Sequence, residues 1–220
     1  MTETARVRAR QLAHDFIQRG DPIGWFETLY AEAKGNERAI QWADMAANPN
    51  LVSWFENNGT HFAGARSLVI GCGLGDDAEY MASKGLQVTA FDLSPTAVSW
   101  AQQRFPDTRV QYRVADVCST PQAWTGAFDL IIESYTLQVL PVEVRRQAMA
   151  AIAQLVAPAG TLLIITRGRD PDEDEGKMPW PLTRAELELF QTYGLTQVRF
   201  EEYLDQEEPP VRRFRVQYRK

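Results

Sequence analysis

The chain has 220 residues, with 23 lysines and arginines against 29 aspartates and glutamates, which gives a formal net charge of −6. Hydrophobic residues make up 45% of the sequence and charged residues 24%, an ordinary globular composition that excludes a wholly disordered chain. The acidic balance argues against nucleic acid as a partner, because phosphate binding depends on lysine and arginine. The length suits one domain with at most a small appendage.

Cysteines and histidines are too few and too widely spaced for a zinc site; they are Cys72, Cys118, His14 and His61. The longest apolar runs are too short to span a bilayer, and the N-terminus lacks the apolar segment of a secretory signal. A transit peptide is the weaker alternative, because acidic residues interrupt the first segment. We therefore expect a reduced, cytoplasmic protein with no metal and no membrane partner, whereas no pattern indicates the oligomeric state.

The first 62 residues are rich in aromatic residues and have the periodicity of helices, with no clear strand. Leu12 and Phe16 share one helical face, and a second apolar face is predicted just downstream. A Pro/Asn turn at residues 48–50 precedes a short apolar stretch. The sequence thus predicts a helical cap over residues 1–62 and a core over residues 63–220.

From residue 67 the pattern alternates between strand and helix. Strands are predicted at residues 67–70, 86–91, 110–115, 128–132, 161–166, 197–203 and 211–218, with helices at 77–84, 95–106, 142–156 and 183–194. Repeated βα units predict an α/β fold with a doubly wound, mostly parallel sheet. The last two strands have no helix between them, so they are predicted to pair antiparallel. A polar loop at residues 167–182 is predicted to act as a lid.

A glycine-rich loop joins the first predicted strand to the first helix of the core. Its sequence, Gly71-Cys72-Gly73-Leu74-Gly75, lets the backbone approach a ligand closely at a helix N-terminus. A dinucleotide fingerprint requires Gly-x-Gly-x-x-Gly, but Asp76 occupies the third glycine position and would repel a pyrophosphate. The loop therefore disfavours NAD. A glycine turn without any ligand is also disfavoured, because the glycines would cost stability for no structural gain.

Acidic residues follow the next two predicted strands. Asp92 lies 21 positions after Gly71, close to the roughly 20 expected for an acid that binds a ribose diol. Asp116 ends the third strand, where it would accept from an adenine amino group while Val117 packs against the ring. A helix-capping Asp92 and a turn-forming Asp116 are the alternatives. The carboxyl ends of parallel strands lie at one sheet edge, so we expect the loop and both acids to share one site.

At these motifs the sequence resembles the class I S-adenosylmethionine-dependent methyltransferases. The resemblance covers about residues 66–166 and departs at Val69, where many members carry an acid. It implies a Rossmann-like, doubly wound, mostly parallel seven-stranded sheet with an antiparallel edge strand. It also implies S-adenosylmethionine as the cofactor, S-adenosylhomocysteine as the product, and a cofactor site made of Gly71, Cys72, Gly73, Gly75, Asp92, Leu93, Asp116, Val117, Glu133 and Trp42.

A narrower resemblance links the chain to the thiol and thiopurine methyltransferases. The motifs that carry it are Trp25 and Tyr30, Trp42-Ala43-Asp44, Pro49-Asn50-Leu51, Pro141 with Arg145, and Met178-Pro179-Trp180-Pro181. Two departures are Gln41, where proline is common, and the spacing of Arg145 from Pro141. This resemblance implies a small, soft nucleophile as the methyl acceptor and a substrate site made of Trp25, Tyr30, Arg145 and Trp180. The alternative for the aromatic residues is that they only form core.

Two residues after the fourth strand are predicted to be catalytic. Glu133 is expected to bind the methionine amino group, orient the acceptor or act as a base, and Tyr135 to line the pocket. We expect Glu133→Ala to lower turnover more than stability; a solvated Glu133 at a strand end is the alternative. An O- or N-methyltransferase of a natural product, a cofactor-binding protein without turnover, and an NAD-dependent oxidoreductase remain the functional alternatives.

Overall fold

Seven strands form the single sheet of the computed structural model, which describes residues 3–220; residues 1 and 2 of the predicted cap lie outside the described residues. The strands are β1 (Arg66–Ile70), β2 (Gln87–Asp92), β3 (Gln111–Val114), β4 (Phe128–Ser134), β5 (Val156–Arg167), β6 (Thr196–Leu204) and β7 (Arg212–Arg219). Their order is β3-β2-β1-β4-β5-β7-β6, and β7 runs antiparallel to both of its neighbours. The predicted α/β fold with a mostly parallel seven-stranded sheet is confirmed.

Seven α-helices flank the sheet in the described part of the chain. They are α1 (Glu3–Gln18), α2 (Trp25–Ala33), α3 (Pro49–Asn58), α4 (Asp76–Ser83), α5 (Pro95–Arg104), α6 (Val142–Leu155) and α7 (Arg184–Thr192). Their ends follow from side-chain caps: Ser94 accepts from Ala97 N ahead of α5, and Thr183 and Glu186 form the predicted capping box of α7. No helix within residues 3–220 has the length and apolar character needed to cross a bilayer.

Alternating side chains of the central strands supply two separate cores. In β1, Leu68 and Ile70 face the cluster that includes α6 and α7, whereas Val69 faces the cluster that includes α3, α4 and α5. Because successive strand residues point to opposite faces, a strand covered on both sides is apolar throughout. A third cluster joins α1 and α2 to the residues around the glycine loop. Residues 3–62 are thus attached to the sheet on one face and at its carboxyl edge.

Two details of the sheet differ from the predicted elements. Strand β5 begins at Val156 rather than at residue 161, because the Pro-Ala-Gly segment forms a bulge in which Ala159 has a φ of 61°. Strand β7, which is antiparallel to its neighbours, lies inside the sheet and β6 forms the edge. Three arginines of β7 pair with acidic residues of neighbouring segments: Arg212 with Asp170 and Glu202, Arg213 with Asp205 and Glu207, and Arg215 with Glu201.

Candidate functional site

A cavity of about 440 Å³ lies at the carboxyl ends of the parallel strands. Its walls include the glycine loop after β1, the residues that follow β2, β3 and β4, part of the helical segment before β1, and the turn between β6 and β7. Of the predicted site residues, those that line it are Gly71, Cys72, Gly73, Asp92, Leu93, Asp116, Val117, Trp42, Tyr30 and Tyr135. The volume falls within the range typical of small-molecule sites.

The glycine loop approaches its neighbours so closely that side chains are excluded. Gly71 has a φ of +59°, and a Cβ there would lie 2.3 Å from Thr136 Oγ1. Gly73 has a φ of +51°, and its Cβ would lie 3.0 Å from Tyr30 Oη. A left-handed backbone with no room for a Cβ requires glycine. The loop therefore presents backbone rather than side chains to the cavity.

Gly75 is the one loop glycine whose predicted cofactor contact is not supported by its position. It does not line the cavity; it precedes α4 with a φ of 95°, and a Cβ there would lie 2.3 Å from Tyr112 Oη. Its glycine identity is therefore explained by packing against β3.

Asp92 holds the glycine loop in place, and its carboxylate can accept further hydrogen bonds. Its Oδ2 accepts from Gly73 N at 2.9 Å and its Oδ1 from Ser94 N at 2.9 Å. Burial raises the pKa of this carboxyl, whereas the hydrogen bonds from backbone N–H groups lower it. A carboxylate offers about four lone-pair sites, so two remain for the vicinal hydroxyls of a ribose.

The cavity residues that follow β3 suit an adenine ring. Asp116 Oδ1 accepts from Cys118 N at 2.8 Å, while Oδ2 has no hydrogen-bond partner among residues 3–220. Val117, Leu93 and Leu140 line the same cavity with apolar side chains. Apolar side chains together with a free carboxylate oxygen can hold a ring and accept from its amino group. The residues present therefore fit an adenosine-containing cofactor.

The N-terminal segment reaches this edge of the sheet through polar contacts. Glu27 of α2 accepts from Ser94 Oγ at 2.5 Å and from Thr96 Oγ1 at 2.6 Å, next to Asp92. Asn48 donates its N–H to Asp77 Oδ1 at 2.7 Å and its side-chain amide to Ser134 Oγ at 2.7 Å. These contacts anchor the segment over the glycine loop and over the residues that follow β4.

Tyr30 and Trp42 are brought to the cavity as predicted, with Trp42 Nε1 donating to Tyr30 Oη at 2.8 Å. Trp25 and Trp180 do not line it. Trp25 is fully buried and stacks on Phe26 with ring centroids 3.9 Å apart. Trp180 packs against the cluster formed by α1 and α2. The predicted substrate contacts of Trp25 and Trp180 are thus corrected: Trp25 is a core residue, and Trp180 is partly buried against that core.

Arg145 is also a structural residue rather than a wall of the cavity. Its guanidinium donates to Leu137 O at 3.0 Å and Leu140 O at 3.1 Å, and forms a 2.6 Å bond to Glu186 Oε1. Its side chain is almost fully buried. Arg145 therefore fastens the turn after β4 to α7, and its predicted substrate contact is corrected.

Glu133 is fully buried and is not among the residues that line the cavity. Its Oε1 accepts from Thr136 N at 2.7 Å and Leu137 N at 2.9 Å, which caps the short 3₁₀ helix Leu137–Val139. Its Oε2 is buried and has no hydrogen-bond partner in the described part of the chain. The predicted catalytic and cofactor contacts are therefore replaced by a structural role, and the expected effect of Glu133→Ala shifts from turnover to stability.

Glu133 should make stability depend on pH. Burial raises the pKa of Glu133 from 4.5 to about 7. Between those values the folded state keeps a proton that the unfolded state has released, so the free energy of unfolding falls as pH rises, by up to about 3 kcal/mol. Glu133→Gln cannot ionise, so its stability relative to the wild type should improve between pH 5 and pH 8. Urea unfolding at both pH values measures this, and parallel pH profiles would contradict it.

Tyr135 lines the cavity directly after β4 in a left-handed conformation, with a φ of 67°. Its hydroxyl accepts from Asn50 Nδ2 at 3.0 Å, and the Arg213 guanidinium lies 4.5 Å from its ring centroid. A non-glycine residue held at positive φ is a strained position, and such positions cluster at functional sites. The position of Tyr135 thus agrees with its predicted role of lining the pocket for the methyl acceptor.

Several cavity-lining residues were missed by the sequence reasoning; they are Asn48, Asp77, Gln138, Arg167, Glu207 and Arg213. Gln138 and Arg167 follow β4 and end β5, so the rule that ligands bind at the carboxyl ends of strands would have identified them. Glu207 and Arg213 come from the turn between β6 and β7 and from β7 itself. Nothing local in the sequence indicates that this hairpin reaches the site.

Comparison with known proteins agrees with this arrangement. Residues 68–160 match the sequence model of a family described as a methyltransferase domain. The chain is 39% identical over 111 residues to the ubiquinone biosynthesis O-methyltransferase of Xanthomonas oryzae, covering 50% of this chain and 46% of that protein. The chain thus spans about half the length of the curated relatives it matches.

Solved structures share the fold at low sequence identity. The 1,6-didemethyltoxoflavin-N1-methyltransferase of Burkholderia thailandensis has a TM-score of 0.68 at 21% identity, covering 100% of this chain and 91% of that one. The cyclase SpnF has a TM-score of 0.70 at 15% identity, covering 96% of both chains. Residues 68–160 are therefore similar in sequence to a methyltransferase domain, and the chain has the fold of the class I S-adenosylmethionine-dependent methyltransferases.

Proposed function

We propose that this protein transfers the methyl group of S-adenosylmethionine to a small-molecule acceptor. The observation that carries the proposal is that the glycine loop, Asp92 and Asp116 line one cavity together with Tyr135. The first three elements suit an adenosine. The space beyond them has its own polar and aromatic walls, as a second ligand requires.

The chain's own residues would act mainly by positioning. The cofactor supplies an activated methyl group, so the protein has to align the acceptor behind the methyl carbon and exclude water. Tyr30 and Trp42 cover the glycine loop, and Asn48 ties the helical segment to Ser134. We infer that residues 1–62 act as the cap of this site and residues 63–220 as its core, with the segment 167–182 as the lid.

Alcohols and thiols are both candidates for the methyl acceptor. The curated relative from Xanthomonas oryzae is named as an O-methyltransferase, which favours an oxygen acceptor. The N-terminal Trp, Trp-x-Asp and Pro-x-Leu motifs favour a thiol. A thiol needs little help in losing its proton near pH 7, whereas an alcohol needs a base. Because the cyclase SpnF shares the fold, binding of the cofactor without methyl transfer is a further alternative.

Calorimetric titration of the purified chain with S-adenosylhomocysteine, and in parallel with NADH, tests the cofactor. We expect S-adenosylhomocysteine to bind with a micromolar Kd, as is usual for enzyme ligands, and NADH not to bind. Tritium transfer from labelled S-adenosylmethionine to matched benzenethiol, phenol and aniline acceptors then tests the reaction. Binding with no transfer to any acceptor class would favour the cofactor-binding alternative, and absence of binding would refute the proposal.

A further inference from the structure

Hydrogen-bond donors without a partner among residues 3–220 line the part of the cavity proposed for the methyl acceptor. Tyr135, Gln138 and Arg167 all line the cavity and follow or end the two central strands β4 and β5. These residues therefore line the cavity at the ends of two strands that follow β1 in the sheet order. The state of these donors indicates what that ligand must offer.

Arg167 is the strongest of the three. Its Nε is buried and has no hydrogen-bond partner, and its guanidinium forms no ion pair with any residue among 3–220. The polar contacts of the residue are made by its backbone, which donates to Gln138 Oε1 at 2.7 Å and accepts from Leu182 N at 2.9 Å. Arg167 as a whole is half-buried, so Nε is the buried part of the guanidinium. A buried donor of a charged group is normally paired, so an unpaired one next to a cavity calls for a ligand.

Neighbouring charges do not neutralise Arg167. Arg213 has a positive charge, but Asp205 at 2.6 Å and Glu207 already pair with it. Burial lowers the pKa of Arg167, and the positive charges of Arg213 and Arg6 lower it further, while Glu207 opposes them. The balance around Arg167 therefore favours the arrival of a negative charge.

Gln138 provides a second, independent donor. Its Oε1 is fixed by Arg167 N and by Thr166 Oγ1 at 3.3 Å, so the orientation of the amide is set by the backbone of β5. Its Nε2 has no partner among the described residues, although the residue is only 4% exposed. The Tyr135 hydroxyl accepts from Asn50 and keeps its own proton for donation.

We propose that the methyl acceptor carries a carboxylate, which binds to Arg167 and Gln138 beside Tyr135. This inference rests on the proposed function, because it names the class of acceptor for the same cavity. A planar carboxylate matches the fork of a guanidinium and accepts two parallel hydrogen bonds. A neutral acceptor of the same shape would leave the donors unpaired.

A binding experiment tests the carboxylate without requiring turnover. With S-adenosylhomocysteine at saturation, the chain is titrated with benzoate and with benzamide, an isosteric neutral probe. We expect benzoate to bind at least tenfold more tightly in the wild type, and the preference to vanish in Arg167→Gln. Arg199→Gln removes the same charge from an exposed site on β6 and should keep the preference. Equal binding of both probes to the wild type would overturn the proposal.

Methyl transfer separates this inference from the function on which it rests. We expect 2-mercaptobenzoate or 2-hydroxybenzoate to exceed benzenethiol or phenol by at least tenfold in kcat/KM, and Arg167→Gln to remove the difference mainly through KM. If S-adenosylhomocysteine binds and neutral acceptors react equally well, the carboxylate proposal fails while the proposed function stands. If S-adenosylhomocysteine does not bind at all, the proposed function itself fails. Loss of stability in Arg167→Gln with the preference retained would identify a purely structural arginine.

Discussion

Replacing Asp92 with alanine should weaken the binding of S-adenosylhomocysteine by ten- to a hundredfold. The carboxylate is buried, is already oriented by Gly73 N and Ser94 N, and lies at the cavity. Loss of one charge-assisted hydrogen bond to a ribose hydroxyl costs about 1.5–3 kcal/mol, and every 1.4 kcal/mol is tenfold in affinity. Calorimetric titration measures the change.

Two controls separate lost recognition from a disturbed loop. Asp129→Ala removes a carboxylate at the opposite end of β4, where it pairs with the exposed Arg66, and should leave affinity unchanged. The wild type should also prefer 5′-methylthioadenosine over its 2′,3′-dideoxy analogue, and Asp92→Ala should not. A variant that keeps this preference would show that Asp92 does not bind the diol.

Replacing Arg145 with methionine should lower the free energy of unfolding by about 3 kcal/mol or more. The change removes one charged donor from the carbonyls of Leu137 and Leu140 and from Glu186 Oε1. Breaking one side of a buried charged network is costly because the remaining polar groups stay desolvated. Urea unfolding, monitored by tryptophan fluorescence, gives the difference.

Arg146→Met is the matched control, since its side chain is exposed on the same helix. That variant should stay within about 0.5 kcal/mol of the wild type. Affinity for S-adenosylhomocysteine should persist in Arg145→Met under conditions where it is folded. If stability were unchanged and acceptor binding were lost instead, Arg145 would be a substrate-binding residue after all.

The cofactor half of the site was predictable because it depends on position along a strand. Gly71, Gly73, Asp92 and Asp116 each come at the carboxyl end of a parallel strand, and such ends meet at one edge whatever the remaining contacts are. Gly75 has the same spacing but not the same surroundings, because the Tyr112 hydroxyl occupies the space beside it. Motif spacing locates a loop; it does not say which of its atoms face a ligand.

The acceptor half was harder to predict because it is assembled from distant segments. Trp25, Tyr30 and Trp42 look alike as aromatic residues of the helical segment, yet Trp25 turns into the core and the other two reach the cavity. Glu133 looks like an active-site acid at a strand end, but its side chain turns back to cap the next helical turn. In each case the direction of the side chain is set by contacts made after the elements pack.

By itself the sequence determined the α/β alternation, the sheet with its antiparallel hairpin, and the cluster of glycines and acids at the strand ends, because hydrophobic periodicity and turn chemistry are local properties. Only the tertiary structure decided that Arg145 and Glu133 are internal braces, and that Gln138 and Arg167 face the cavity with unused donors. Whether a polar group is satisfied depends on neighbours far away in the chain, and those neighbours exist only once the helices and the sheet have packed.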